Sequence, residues 1–356
     1  MRLVNVMYLK EGEVLARAVV NSIGKTLLQA GVKLTSTYIN RLQCLGFDLV
    51  FVKDDRLDDV EIHDALSEQT RELAYKTVSS LNRYIETGKD SLLPVDKVRL
   101  TVKKMIDDLL CSYDILGNLS EIRGYDHHTF HHSVNTTTLA LVLGMALKYQ
   151  EPKLLELGMG VMMHDVGKIR VPEQILNKAN PLTKEEFDQI KQHSTQGYEI
   201  LRKHRDLSLL ASHVAFQHHE KWDGSGYPRG LKGNEIHEYA RVAAISDVYE
   251  ALTNRRVYRA PIEPYQAYEY ISAHCGTHFD PRITDVFLRH IIVYPTGSGV
   301  SLNNGQRGYV IKQNKSFPSR PYVRIFYRDE QPIEPPVEYN LAEHPSLFIV
   351  KVENRS

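Results

Sequence analysis

The chain has 356 residues, enough for two or three domains of which at least one holds a large core. Its 44 Lys and Arg balance 44 Asp and Glu, and a formal net charge of zero argues against a dedicated binder of long nucleic acid, while leaving room for a local basic pocket. With 42% hydrophobic and 25% charged residues the composition is that of an ordinary globular protein. Cys44, Cys111 and Cys275 are far apart and form no CxxC pair, so neither a disulfide framework nor a zinc–thiolate site follows, and a reducing compartment is expected. The first residues, MRLVNVMYLKEGEVLARAVV, lack the apolar block of a signal peptide, and no window reaches the apolar length of a membrane span. A cytoplasmic location without membrane attachment is the resulting expectation. The unusual count is 16 histidines, most of them between residues 127 and 290.

Residues 1–60 alternate short apolar runs with glycines, which predicts a small α+β module of short strands with one helix near Thr35 to Leu45. From 61 to 117 the pattern turns helical and charged, so we expect a helical connecting region that packs onto, or leads into, the next domain. Residues 118–294 carry helical periodicity interrupted at Pro172, Pro181, the GSGYP stretch, Pro261 and Pro281, which predicts a helical domain with functional loops. From 295 to 356 the texture becomes that of short strands with turns at NNG and FPSRP, a β-rich extension. The fold class expected is therefore mainly α: a helical bundle flanked by a small α+β N-terminal module and a short β-rich C-terminal extension. No repeat of 20 to 50 residues is visible.

Chemistry concentrates in the helical part. In MMHDVGKI, His164 and Asp165 adjoin at the end of an apolar helix, where Gly167 is read as letting the backbone bend and Lys168 follows. One imidazole and one carboxylate offer enough donor atoms to hold one metal and reach a second, although HD alone is equally well a capped helix end. In HHTFHHSVN, His128 and His132 are four apart and share a helical face. His193 sits on an amphipathic helix, His218 and His219 are adjacent ahead of DGSGYP, and Asp247 lies among apolar residues where an unpaired carboxylate would be costly to bury. A metal site accounts for these residues more economically than several separate buried polar accidents.

HDVGKI, then PEQILNKANPLTKEEFDQIKQHSTQGYEIL, HHEKWDGSGYP and RVAAISDVYEALTNRRVYR together resemble the HD-GYP subgroup of HD-domain metal-dependent phosphohydrolases, from about Tyr125 to Phe287. The resemblance implies a ligand set of His132, His164, Asp165, His193, His218, His219 and Asp247, with Asp165 bridging two ions of iron or manganese. Members with three metals carry a glutamate four residues before the histidine that matches His132. Here that place holds His128, and two metals are expected, with His128 as the position a third would need. Tyr227 would touch substrate, with Gly224 and Gly226 letting the backbone come close and Pro228 stiffening the exit. Lys168 is similar to the family lysine that contacts the phosphate and assists the departing oxygen, which makes Asp165 and Lys168 the catalytic candidates. Arg256 and Arg259 match basic positions that grip phosphates.

The substrate implied is cyclic di-GMP, opened to pGpG with a further cut to GMP left open. Two other readings stand beside it: an HD-GYP sensor or protein-interaction module with little turnover, and a hydrolase of another cyclic dinucleotide. A homodimer or signalling partners are expected from the position of the N-terminal module alone. His127 and His131 fall outside the family positions and are expected at the surface or behind the ligands. His204, His213, His237, His274, His278 and His290 are read as structural. In GTHFDPRITDVF, Asp280 and Pro281 are expected to start a closing helix.

Overall fold

The computed structural model describes residues 1–20, 26–62, 64–111, 128–176, 178, 180–254 and 261–353, with the backbone alone for 128–130. The N-terminal module opens with β1 (Arg2–Asn5), followed by β2 (Val19–Val20), β3 (Thr26–Leu28), α1 (Ser36–Cys44) and β4 (Leu49–Val52). β1 and β4 pair antiparallel with Arg2 opposite Val52 and Asn5 opposite Leu49. The Thr35 side chain accepts from the Tyr38 amide and starts α1 one residue inside the stretch predicted from sequence. Ile39 and Leu42 on α1 then join Val4, Leu15, Val50 and Val52 in a small core.

The helical unit holds α2 (Glu68–Glu86), α3 (Val95–Cys111), α4 (His128–Ala146), α5 (Glu151–Met162), the short α6 (Glu173–Leu176), α7 (Lys184–Leu201), α8 (Leu209–Gln217), α9 (Glu238–Thr253), α10 (Pro264–Ala273) and α11 (Pro281–His290). On α2, Ala74, Val78, Leu81 and Ile85 recur at helical spacing and form one buried stripe. That stripe enters the same apolar core as Val102, Met105 and Ile106 of α3, Leu141 of α4 and Leu157 of α5. The two helices of the 61–117 segment are thus built into the wall of the bundle.

α4 and α9 run through the middle and are buried on nearly all described sides, which is why their sequences show little polar face. Threonines on α4 are tolerated there because Thr137 and Thr138 return their hydroxyls to the carbonyls of Ser133 and Val134, at 2.6 and 2.9 Å. α7 begins with a reciprocal cap in which Thr183 accepts from the Glu186 amide and Glu186 accepts from the Thr183 amide. Asp280 caps α11 by accepting from the Arg282 amide at 2.8 Å, with Pro281 at the first helical position as expected.

The C-terminal segment is an antiparallel sheet in the order β8-β7-β6-β5-β9, from β5 (Gly299–Leu302), β6 (Gln306–Lys312), β7 (Tyr322–Arg328), β8 (Gln331–Asn340) and β9 (Ile349–Val352). The predicted turns at NNG and FPSRP fall between β5 and β6 and between β6 and β7. The N-terminal module packs on the C-terminal sheet: Leu3, Phe51, Leu57, Val60 and Ile62 pack with Phe326 and Tyr327 of β7. Arg324 pairs with Asp59 at 2.5 Å, and the Arg56 guanidinium lies 4.9 Å from the centre of the Phe326 ring. Among the described residues no helix is long and apolar enough to cross a membrane.

Candidate metal centre

Five helical elements deliver side chains to one buried point. His132 comes from α4, His164 and Asp165 from the turn that ends α5, His193 from α7, His218 and His219 from the end of α8, and Asp247 from α9. The turn reaches α7 because residue 167 is glycine: a Cβ there would stand 1.9 Å from the His193 carbonyl oxygen and 2.7 Å from the Gly197 amide. Close approach of two backbones, and not the bend read from sequence, is what this glycine provides.

The donor atoms fall into two groups. His132, His164 and Asp247 form one, and Asp165, His193, His218 and His219 the other, each with atoms mutually within 4.8 Å. Asp165 faces both. Its Oδ2 lies 3.4 Å from His132 Nε2 and 3.3 Å from His164 Nε2, and its Oδ1 lies 3.5 Å from His193 Nε2 and 3.7 Å from His218 Nε2. That Oδ1 is buried without a hydrogen-bond partner, a position a carboxylate oxygen rarely holds unless a cation meets it.

The imidazoles are turned the same way. The Nδ1 atoms of His164, His193 and His218 face the carbonyls of Val161, Ile190 and Ala215 at 2.7, 2.6 and 3.0 Å, and His132 Nδ1 faces Glu250 Oε2 at 2.5 Å. A proton held on each Nδ1 leaves the Nε2 lone pairs aimed at the centre, the orientation that second-layer partners impose on metal-ligating histidines. In that state the Nε2–Nε2 contacts of 3.2 Å between His132 and His164 and 3.4 Å between His193 and His218 bring lone pair against lone pair. Two nitrogens on one cation at about 2.1 Å stand at those separations when the angle between them is about 100–108°. The residues present therefore fit metal ions, and the donor set of imidazole and carboxylate suits first-row transition metals.

At His193 and His218 electrostatics agree with this geometry. Burial pushes His193 down to about 4, and burial with His164 and His193 alongside pushes His218 down to about 3, so both stay neutral and ready to ligate. Burial opposes the charge of Asp165, yet its contacts with His164, Lys168 and His132 hold its carboxyl well below the usual range. His132 differs: burial works against its imidazolium, but Glu250, Asp165 and Asp247 outweigh burial and favour a proton on Nε2, which a metal ion at that atom would displace. The ammonium of Lys168 lies 2.5 Å from Asp165 Oδ2.

Over the second group sits the loop that follows His219. Tyr227 donates its amide to the His219 carbonyl at 3.2 Å, and the two rings lie 4.8 Å apart at 31°. Gly226 is needed for this turn, since a Cβ would come within 2.3 Å of the Lys221 amide and 2.5 Å of Glu220 Cα. Gly224 takes φ +86°. Buried Glu220 closes the loop by accepting from the Arg229 and Leu231 amides at 2.8 and 2.9 Å.

Glu220 and Glu250 are residues that sequence reasoning passed over. Glu250 stands three residues after Asp247 on the same buried helix, and its spacing from that aspartate was the available signal. His131 is buried with its ring 4.4 Å from Tyr75, and His278 stacks on Phe279. Arg256, Arg259 and His127 lie outside the described residues, as does the side chain of His128.

Residues 112–283 match the family model described as an HD domain. The helical unit is an HD domain. Residues 299–356 match a second model, a KOW domain associated with the HD domain, so the C-terminal sheet is a known companion of this bundle. The chain is 33% identical over 255 residues to "Cyclic di-GMP phosphodiesterase PA4108" of Pseudomonas aeruginosa, covering 71% of this chain and 59% of that protein. It is 42% identical over 129 residues to "3'3'-cGAMP-specific phosphodiesterase 2" of Vibrio cholerae, covering 36% of this chain and 25% of that one. The chain thus spans less than two thirds of each of these relatives. Among solved structures, the HDG"Y"P protein Bd1817 of Bdellovibrio bacteriovorus superposes with a TM-score of 0.54 at 17% identity, over 80% of this chain and 97% of that one, which is a likeness of fold. HD-domain phosphohydrolases depend on metals, in keeping with the two groups of ligands around Asp165.

Proposed function

We propose that the chain is a phosphodiesterase that opens cyclic di-GMP to pGpG and can cut further to GMP, using two ions of iron or manganese. The observation that carries the reading is the placement of Asp165, with one oxygen toward each group of imidazoles. His132, His164 and Asp247 would hold one ion, and His193, His218 and His219 the other, with Asp165 common to both. When bound, such a pair lowers the pKa of a water and draws charge from a phosphodiester.

The remaining work falls to the chain's own residues. Lys168 is half-buried at the edge of the ligand groups, where its ammonium can leave the Asp165 oxygen for a phosphate oxygen or steady the departing hydroxyl. Tyr227 presents its phenol from the loop above His219. Burial, with Asp247 and Asp165 nearby, raises its pKa, so it acts as a neutral hydrogen-bond donor. Arg256 and Arg259 remain assigned to phosphate binding on the family resemblance, and His128 to the place of a third ion.

A second reading has a specific support: the Vibrio relative named for 3'3'-cGAMP is 42% identical over 129 residues. The test is to incubate the metal-loaded full chain with cyclic di-GMP and, separately, with 3'3'-cGAMP and to separate the products by chromatography. Formation of pGpG with 3'3'-cGAMP cut more slowly supports the proposal. The reverse preference moves the assignment to the other dinucleotide, and tight binding of cyclic di-GMP without product makes the protein a sensor.

A further inference from the structure

Phe187 on α7 is 46% exposed and belongs to none of the four apolar cores found among the described residues. Packing therefore gives no reason for a large aromatic side chain at this position. Its surroundings do. The Phe187 ring stands 6.3 Å from that of Tyr227, edge to face at 80°, and Tyr227 in turn lies over the ligand candidate His219. His219 contacts His193 at 5.0 Å between ring centres. A continuous run of rings thus leads from the buried ligands outward and ends on an open aromatic face.

One cation fixes the outer end of this run. Lys191 follows Phe187 by one helical turn, and its ammonium lies 5.2 Å from the Phe187 ring centre and 5.9 Å from that of Tyr227. Asp188 holds the same ammonium at 2.5 Å. The lysine is thereby kept over both rings, which limits their freedom and places positive charge beside the aromatic surface.

A substrate whose phosphodiester sits at the ligand groups must carry its bases away from them, toward the mouth of the site. An exposed ring beside a cation is what a nucleobase needs there, because every base has a π-face that stacks on an aromatic side chain. We propose that Phe187, steadied by Lys191 against Tyr227, is the platform on which one purine of the bound cyclic dinucleotide stacks. The proposal rests on the reading of the substrate as a cyclic dinucleotide.

The test uses the metal-loaded full chain with cyclic di-GMP as probe. In Phe187→Ala, KM rises by roughly tenfold or more, while kcat and metal content stay near wild type. Phe187→Trp restores KM, and its indole emission is quenched as the dinucleotide binds. A Phe187→Ala protein that hydrolyses cyclic di-GMP with KM within about twofold of wild type overturns the platform and leaves the phosphodiesterase reading intact. A wild-type protein that leaves the dinucleotide uncut, with quenching still seen in Phe187→Trp, overturns turnover and upholds the platform. Absence of quenching at nucleotide concentrations that saturate the wild-type protein refutes it.

Discussion

Replacing Glu250 by glutamine would change one atom of a side chain that touches no candidate metal position, and it should nevertheless weaken metal binding. Glu250 Oε2 lies 2.5 Å from His132 Nδ1, while Oε1 accepts from Asn254 Nδ2 at 3.0 Å and from Asn135 Nδ2 at 3.4 Å. Glutamine can keep its oxygen toward the two asparagines only by turning its NH2 toward His132. That NH2 cannot accept the Nδ1 proton, so the imidazole must move or shift its proton to Nε2, and the second choice removes the lone pair aimed at the centre. Outer-layer changes of this kind typically cost about 10- to 100-fold in metal affinity, or roughly 1.4–2.8 kcal/mol. The assay is a chelator competition with metal analysis on wild type and Glu250→Gln, with thermal unfolding of both metal-free proteins to separate affinity from stability. The loss should fall on the ion held by His132, His164 and Asp247. Wild-type affinity for both ions in Glu250→Gln would refute the tautomer argument.

Further outcomes follow from the loop and from a buried histidine. Gly226→Ala forces the loop away from Glu220 and Lys221, and denaturant titration should show a loss of about 1–3 kcal/mol together with a raised substrate KM. Unchanged stability would mean that the turn relaxes freely. Tyr227→Phe keeps the ring over His219 and loses the hydroxyl, so metal content should hold while kcat/KM falls about tenfold, and an unchanged kcat/KM would remove the phenol from the site. Burial, followed by the neighbouring charges of Lys221 and His274, pushes His278 down to about 4. The unfolded chain takes up that proton near 6.5 and the native state only near 4, so the stability this neutral histidine carries is lost as pH falls from about 6.5 toward 4. Metal-free wild type should lose more stability across that window than His278→Gln, and parallel pH profiles would contradict the assignment.

The sequence displayed the ligands more fully than their supports. His218 and His219 are adjacent, and Asp247 stands in an otherwise apolar helix, so each is conspicuous in one dimension. Glu220 and Glu250 are no less buried, yet an acid next to a histidine or three residues from another acid looks like an ordinary polar residue until the partner it meets is known. For Glu250 that partner is 118 residues away, and for Glu220 it is a pair of backbone amides. The bend ascribed to Gly167 failed for the same reason, since what constrains it is the His193 carbonyl on another helix. Local signals fared better: the helix near Thr35 to Leu45, Pro281 at a helix start and the NNG turn all lie where they are expected. Turn residues made the C-terminal strands legible, but nothing in them showed that Phe326 would pack on Phe51 and Leu57 near the other end of the chain.

The central claim is that Asp165 joins two metal positions. The most direct test is metal analysis of anaerobically purified wild type and Asp165→Asn, each assayed for cleavage of cyclic di-GMP. The account predicts two equivalents of iron or manganese and product from wild type, and loss of at least one equivalent with loss of product in the variant. Asp165→Asn that retains two equivalents and turns over cyclic di-GMP at the wild-type rate would contradict it.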